Sequence, residues 1–237
     1  MKPTRKFLTS FLYLVVSAQF LHGAADITIS NGFNSDITVG SAFMDATDNG
    51  GSSNLNVSTL TVALSGGPVV VNTTTTTTSV FTPNGGRITV LDSIASSSAS
   101  NLTLSASSDV LVGATIANTG GGSLLINANG AGGVQFNSDL VLTGGTSALT
   151  VVSSGAVTDA LSTAIQVEGL ATINAGTNAI TFGDSPTDTV NFGSLSLTGG
   201  AVTISENSAT VLQSVSASTL NLTSAGSITD SGNVSTT

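Results

Sequence analysis

Carboxylates are the one plentiful kind of side chain in this sequence that could move a proton or hold a cation. Lys2, Arg5, Lys6, Tyr13 and His22 all precede Ala25, Cys is absent, and beyond that point Arg87 alone faces 13 acids. Two of those acids close a recurring phrase, LTVVSSGAVTD from Leu149 to Asp159 and LNLTSAGSITD from Leu220 to Asp230. A glycoside-cleaving pair would need its carboxyls about 5 to 9.5 Å apart. Asp184 and Asp188, in GDSPTD, can approach each other, and a turn around Ser185 and Pro186 accounts for them equally well. Asp45, Asp48 and Asn49 lie in a Gly-rich stretch running to Asn54 and offer the oxygen ligands that calcium prefers. That stretch lacks the spaced carboxylates and closing Glu of an EF-hand, so it reads as a solvated loop.

The partners such acids would need are missing. Without His, Cys, Lys or Tyr beyond the leader, general bases reduce to carboxylates, and serines have no base to activate them. Arg87 is the one candidate for the strong base of a polysaccharide lyase, but Gly85, Gly86, Ile88 and Thr89 beside it supply no carboxylate cluster. It reads as a solvated turn residue. Aromatic faces for sugars are scarce: there is no Trp, and of Phe33, Phe43, Phe81, Phe136, Phe182 and Phe192 the last three read as core. A threonine ladder of the ice-binding kind, begun by Thr103 and Thr150, is broken by Ser196 and Asn221. Asn56, Asn72, Asn101, Asn221 and Asn233 match the glycosylation sequon, a triplet this composition also generates by chance. The reading is therefore of a non-enzyme with no catalytic, cofactor or metal site.

The elements behind these residues are repeats. Phrases related to the two above begin at Leu102, Leu124, Leu170 and Leu195, so the six starts follow one another at a spacing of about 21 to 25 residues. Offsets of about 47 residues, from Leu102 to Leu149, and about 71 residues, from Leu149 to Leu220, are multiples of about 23.6, the length of one solenoid coil. A second strand follows each start at Val110, Val134, Val157, Ile180, Val202 and Ile228, and a third lies near Ile116, Val141, Ile165, Val190 and Leu212. Alternation within a strand points one face inward and the other to water. The expected fold is all-β, a right-handed parallel β-helix with three short strands per coil. About eight coils at roughly 4.8 Å make a rod on the order of 40 Å long. Three coils would separate Asp159 from Asp230 by about 14 Å, too far for an acid pair. Val, Ile, Thr, Ser, Asn and Gly disfavour helix, and no segment beyond the leader shows sustained helical spacing. A hydrophobic content of 40% argues against disorder.

The organisation follows. Lys2, Arg5 and Lys6, an apolar run from Phe7 to Leu21, then Gly23, Ala24 and Ala25 make a secretory signal peptide at 1–25. Its apolar run is shorter than the roughly 20 residues needed to span a bilayer. Removal leaves Arg87 against 13 acids, a net charge of −12. That charge excludes nucleic acid as a partner and repels anionic lipid. Absence of Cys rules out disulfides, thiol catalysis and thiolate metal sites. Residues 26–78 read as an N-terminal cap with irregular first coils, strands from Leu55 to Val71 with a turn at Gly66, Gly67 and Pro68, and a threonine run from Thr73 to Thr78. Residues 79–237 read as regular coils ending partway through a turn. That suggests a truncated frame, or end-to-end stacking with further coils or another copy, and membrane insertion of the mature chain is not expected.

The phrases LTL, GAVTD and TGG across residues 102–234 resemble the repeats of large bacterial surface proteins of the filamentous haemagglutinin and autotransporter-passenger kind. The TPNG turn at Thr82, Pro83, Asn84 and Gly85 partly matches the NPNG-type turn of that family's secretion domain, and no membrane barrel follows. The resemblance implies an exported, adhesin-like rod at or beyond a bacterial cell surface, presenting loops to glycans or proteins of other cells. A surface scaffold with no specific ligand is the alternative, and a fragment of a polysaccharide-degrading β-helix enzyme a third.

Overall fold

A computed structural model describes residues 26–35, 37–39, 43–46, 52–73 and 86–237. Residues 1–25, read as a leader, Asp48, Asn49, the threonines after Thr73, Phe81 and the TPNG sequence lie outside the described residues. Strands make up 59% of the described residues and helix 5%, and parallel strands stack into a β-solenoid of about eight turns. Three faces build it. Leu102–Ala106, Leu124–Ala128 and Leu149–Ser153 stack on the first, which continues through Ala171, Leu195 and Val215. Ile88–Val90, Val110–Val112, Val134–Phe136, Val157–Asp159 and Ile180–Phe182 stack on the second. Ile94–Ser96, Ile116–Asn118 and Leu140–Leu142 stack on the third, which continues through Ile165 and Val190.

Alternation fills the interior as expected. In Leu102–Ala106 and Leu124–Ala128 every second side chain is buried, so Leu, Ile, Val and Ala form columns inside while Ser, Thr and Asn face out. One assignment shifts by a single position: Leu149 stacks on Ala171, and Leu170 is turned outward. Coils pass so closely at the corners that some positions admit no side chain. A methyl group at Gly133 would meet the Ala156 carbonyl of the next coil, and its φ of 76° lies in the left-handed region.

The N-terminal end departs from the strand-only expectation. Val57–Gly66 is a helix, where the sequence reads as strands. Asn56 caps it, its side-chain oxygen accepting from Ser58 N at 2.9 Å and Thr59 N at 3.3 Å. The helix buries Val57, Leu60 and Leu64 and leaves Val62 71% exposed. Leu60, Val62 and Leu64 also satisfy a strand's alternation, and that ambiguity hides the helix in the sequence. The helix packs on Ser52–Asn56, Val69–Asn72 and Ile94–Ser96 and covers the first coil. Asp26–Ser30 lies between Ser52–Asn56 and Ile88–Val90, so the later strand sits outermost. The stretch 45–54 is not one loop either. Asp45 lies in Phe43–Ala46, which is antiparallel to Ile37–Val39, while Asn54 lies in Ser52–Asn56 and bonds Ser30 and Phe33.

The far end contracts. Ser196 stacks on Ser214, an offset of only 18 along the chain. The recurring phrase consequently loses its phase. Val157–Asp159 lies on the second face, whereas Ile228–Asp230 stacks on Thr210–Leu212, a different side of the coil. Leu149 lies on the first face and Leu220, stacked on Val202, on the second. The echo between the two phrases is one of sequence; it does not place equivalent residues above one another.

Candidate functional site

The densest chemistry in the described residues lies at the corner between the second and third faces. Asp159 closes Val157–Asp159 in register with Phe136 of the coil below, a position whose side chain points inward there. With a carboxylate at that level, the rings of Phe136 and Phe182 close up to 5.8 Å between centroids across it, and Phe192 meets Phe182 edge-on at 5.8 Å. All three rings are core, as read from the sequence. The Asp159 carboxylate turns to the corner, where Oδ2 accepts from Gly183 N at 3.0 Å and Thr163 Oγ1 at 3.3 Å.

The next coil brings GDSPTD to the same corner. Asp188 is 6% exposed and accepts from Ser162 N at 2.7 Å and Ser185 N at 2.9 Å. Its own N–H bonds Ser185 O at 3.1 Å, closing the turn that the sequence predicts around Pro186. Ser162, at φ 62°, is the one non-glycine among the described residues with positive φ, held there as its N–H reaches Asp188. Asp184 stays exposed. One carboxylate oxygen from each of Asp159, Asp184 and Asp188 lies within 4.8 Å of the other two. Sequence reasoning joins Asp184 to Asp188 but not Asp159 to either. The missing signal was coil register, which sets Asp159 beside Gly183, 24 positions further along the chain.

The electrostatics follow from that crowding. Burial raises the Asp159 carboxyl above its ordinary value of 3.8, and the charge of Asp188 adds to the rise, while the Gly183 N–H and Thr163 hydroxyl oppose it. Asp159 Oδ1 is buried without a hydrogen-bond partner. Three carboxylates at this range are oxygen ligands of the type a hard cation takes, and Asp159, Asp184 and Asp188 are the residues that could hold one. As an acid and base pair they fit poorly, because Asp188 already receives two backbone N–H groups from the turns it ties.

Elsewhere the same use of carboxylates recurs. Asp26 accepts from Gly86 N and Arg87 N, Glu168 from Gly144 N and Gly145 N, Asp139 from Ala164 N, and Asp92 from Asn31 N. Arg87 is a half-exposed turn residue, as read, but its Nε also meets Asp109 Oδ2 at 2.7 Å, one coil away. Asp230 accepts from Gly232 N at 2.9 Å, on another face from Asp159. Among the carboxylates whose side chains are described, every one except Asp184 accepts a hydrogen bond that ties a turn or joins neighbouring coils.

Glu206 has a related duty where the coil contracts. The third-face ladder ends at Val190 and Phe192, whose N–H groups would meet the next strand. Instead Asn207 Oδ1 accepts from Val190 N and Glu206 Oε1 from Phe192 N, each at 2.8 Å. Two side chains stand in for a missing strand. Glu206 is 3% exposed, and burial raises its carboxyl above the ordinary 4.5 against the pull of Thr210 and the Phe192 N–H.

No curated protein and no solved structure matches the chain. Residues 131–196 and 199–237 match a family described as repeats of unknown function (DUF5649). The first stretch contains the whole Asp159 corner, and the contraction at Ser196 and Ser214 joins the two stretches, so this part of the solenoid is similar to that repeat family.

Proposed function

We propose that the chain is an exported, non-catalytic β-helical rod, an adhesin-like segment displayed at or released from a bacterial surface, whose turns meet glycans or proteins of other cells. The observation that carries this reading is how the acids are used: all but Asp184 of those described accept hydrogen bonds that tie turns or join coils, as Glu168, Asp139 and Asp188 do. Groups so engaged serve architecture. The leader composition supports export, and the absence of Cys suits folding without redox assistance.

Two measurements test it. Expressed in a bacterium with its leader, the chain is expected outside the cytoplasm with Asp26 as its first residue; intracellular retention of the intact N-terminus overturns export. Purified secreted chain is expected to bind cells or immobilised glycans saturably and to leave acidic polysaccharides uncut. Surface localisation without saturable binding favours a scaffold, and depolymerisation favours an enzyme.

A further inference from the structure

The shortened coil puts an acid into the core. Along the end of Thr189–Glu206 the side chains of Val202, Ile204 and Glu206 alternate inward, and all three are buried. The glutamate is only half used. Its Oε1 accepts from Phe192 N at 2.8 Å, while Oε2 is buried without a hydrogen-bond partner. The wholly buried Thr210 hydroxyl pulls on that carboxylate, yet its oxygen closes no hydrogen bond either. Buried polar atoms without partners cost free energy, and here two of them belong to one pair.

We propose that Glu206 is a proton-operated latch on the end of the third face. With the proton on Oε2, the carboxyl donates to Thr210 Oγ1 and still accepts from Phe192 N, so one proton partners both orphan oxygens. Without it, the turn 206–209 lifts from Val190 and Phe192 and carries the carboxylate into water.

Geometry makes this turn the piece that moves. Residues 189–192 rest in register on 164–167 of the coil below. From above, the bonds of Val190 N to Asn207 Oδ1, Asn207 N to Val190 O and Phe192 N to Glu206 Oε1 close the edge. Glu206 supplies the one acceptor among these that titrates. Charged neighbours are engaged elsewhere or turned away. Thr210–Ser224 and Ile180–Phe182 contain no acid or base, and Glu168 receives Gly144 N and Gly145 N. Asp188 receives Ser162 N and Ser185 N, Asp230 receives Gly232 N, and Asp184 is exposed. Burial is accordingly the chief reason the Glu206 carboxyl stands above its ordinary 4.5. The closed form therefore holds its proton more firmly than the open one, and the latch is shut in acid. Opening grows about tenfold per pH unit above 4.5 and levels off once the closed form also ionises.

Amide hydrogen exchange on the full chain tests this, with protection expressed relative to the intrinsic exchange rate at each pH. Val190 N and Phe192 N are expected to lose protection about tenfold per unit above pH 4.5, then level. They should exchange faster than Leu124 N and Val134 N, which donate to Ala148 O and Ala156 O in the middle of the stack. Glu206→Gln keeps an acceptor for Phe192 N and offers an amide N–H to Thr210. It is expected to hold both amides at their acid-level protection at neutral pH. Circular dichroism and melting establish that this variant is folded; if it is not, the profile of the unaltered chain decides. A flat profile in the unaltered chain, an equal slope in Glu206→Gln, or exchange at Val190 and Phe192 no faster than at Leu124 and Val134 overturns the proposal.

Discussion

Asp159 and Glu206 are acids placed where the fold would otherwise hold an apolar side chain or a strand. Asp159 shares its register with Phe136, and Glu206 replaces the backbone partner of Phe192. Burial raises both carboxyls, so the folded state holds their protons more firmly than the unfolded chain does. Stability from these two groups is complete below their ordinary values of 3.8 and 4.5, and it is lost as pH rises through the higher values of the folded state. Asp159→Asn keeps an acceptor for Gly183 N and removes the charge. It is expected to raise the melting temperature at neutral pH and flatten the decline above pH 3.8. Thermal melts of both proteins across acid and neutral pH check it, and an unchanged slope would refute the account of the corner.

At the scale of elements, the helix Val57–Gly66 shows how one residue can decide between two periods. Leu60, Val62 and Leu64 fit a strand, but Asn56 accepts two N–H groups of the following turn and donates to Asn31 O and Gly32 O. Capping and covering the first coil are thus one act. Asn56→Ala is expected to cost about 1 kcal/mol from the lost cap alone. Loss of the bonds to Asn31 and Gly32 adds to that cost. Urea unfolding followed by circular dichroism measures it, and a change near zero would mean that packing of Leu60 and Leu64 holds the helix without its cap.

Across the whole molecule, each coil touches mainly its neighbours, so stability accumulates as a sum of coil and interface terms. The Phe136, Phe182 and Phe192 cluster is the exception, since Phe136 and Phe182 meet across the coil that carries Asp159. Phe182→Ala is therefore expected to cost about 3–5 kcal/mol and to loosen the coils on both sides of the Asp159 corner. Hydrogen exchange would show that loosening at 134–136 and 190–192 while 88–96 keeps its protection. A loss spread evenly from end to end would contradict nearest-neighbour stacking.

Coil length, the three-strand coil and the inward columns were legible in the sequence, because a strand alternation that returns from Leu102 to Leu124 to Leu149 leaves a stacked coil as the one way to bury every apolar face. The core reading of Phe136, Phe182 and Phe192 rests on the same local pattern. Register was not legible. The contraction at Ser196 moves Asp230 to another face, and the corner that gathers Asp159, Asp184 and Asp188 exists only once coils are aligned. Periodicity is a property of neighbours along the chain and can be read from it. Which acid meets which N–H depends on the exact length of each turn, and the tertiary structure alone counts it out.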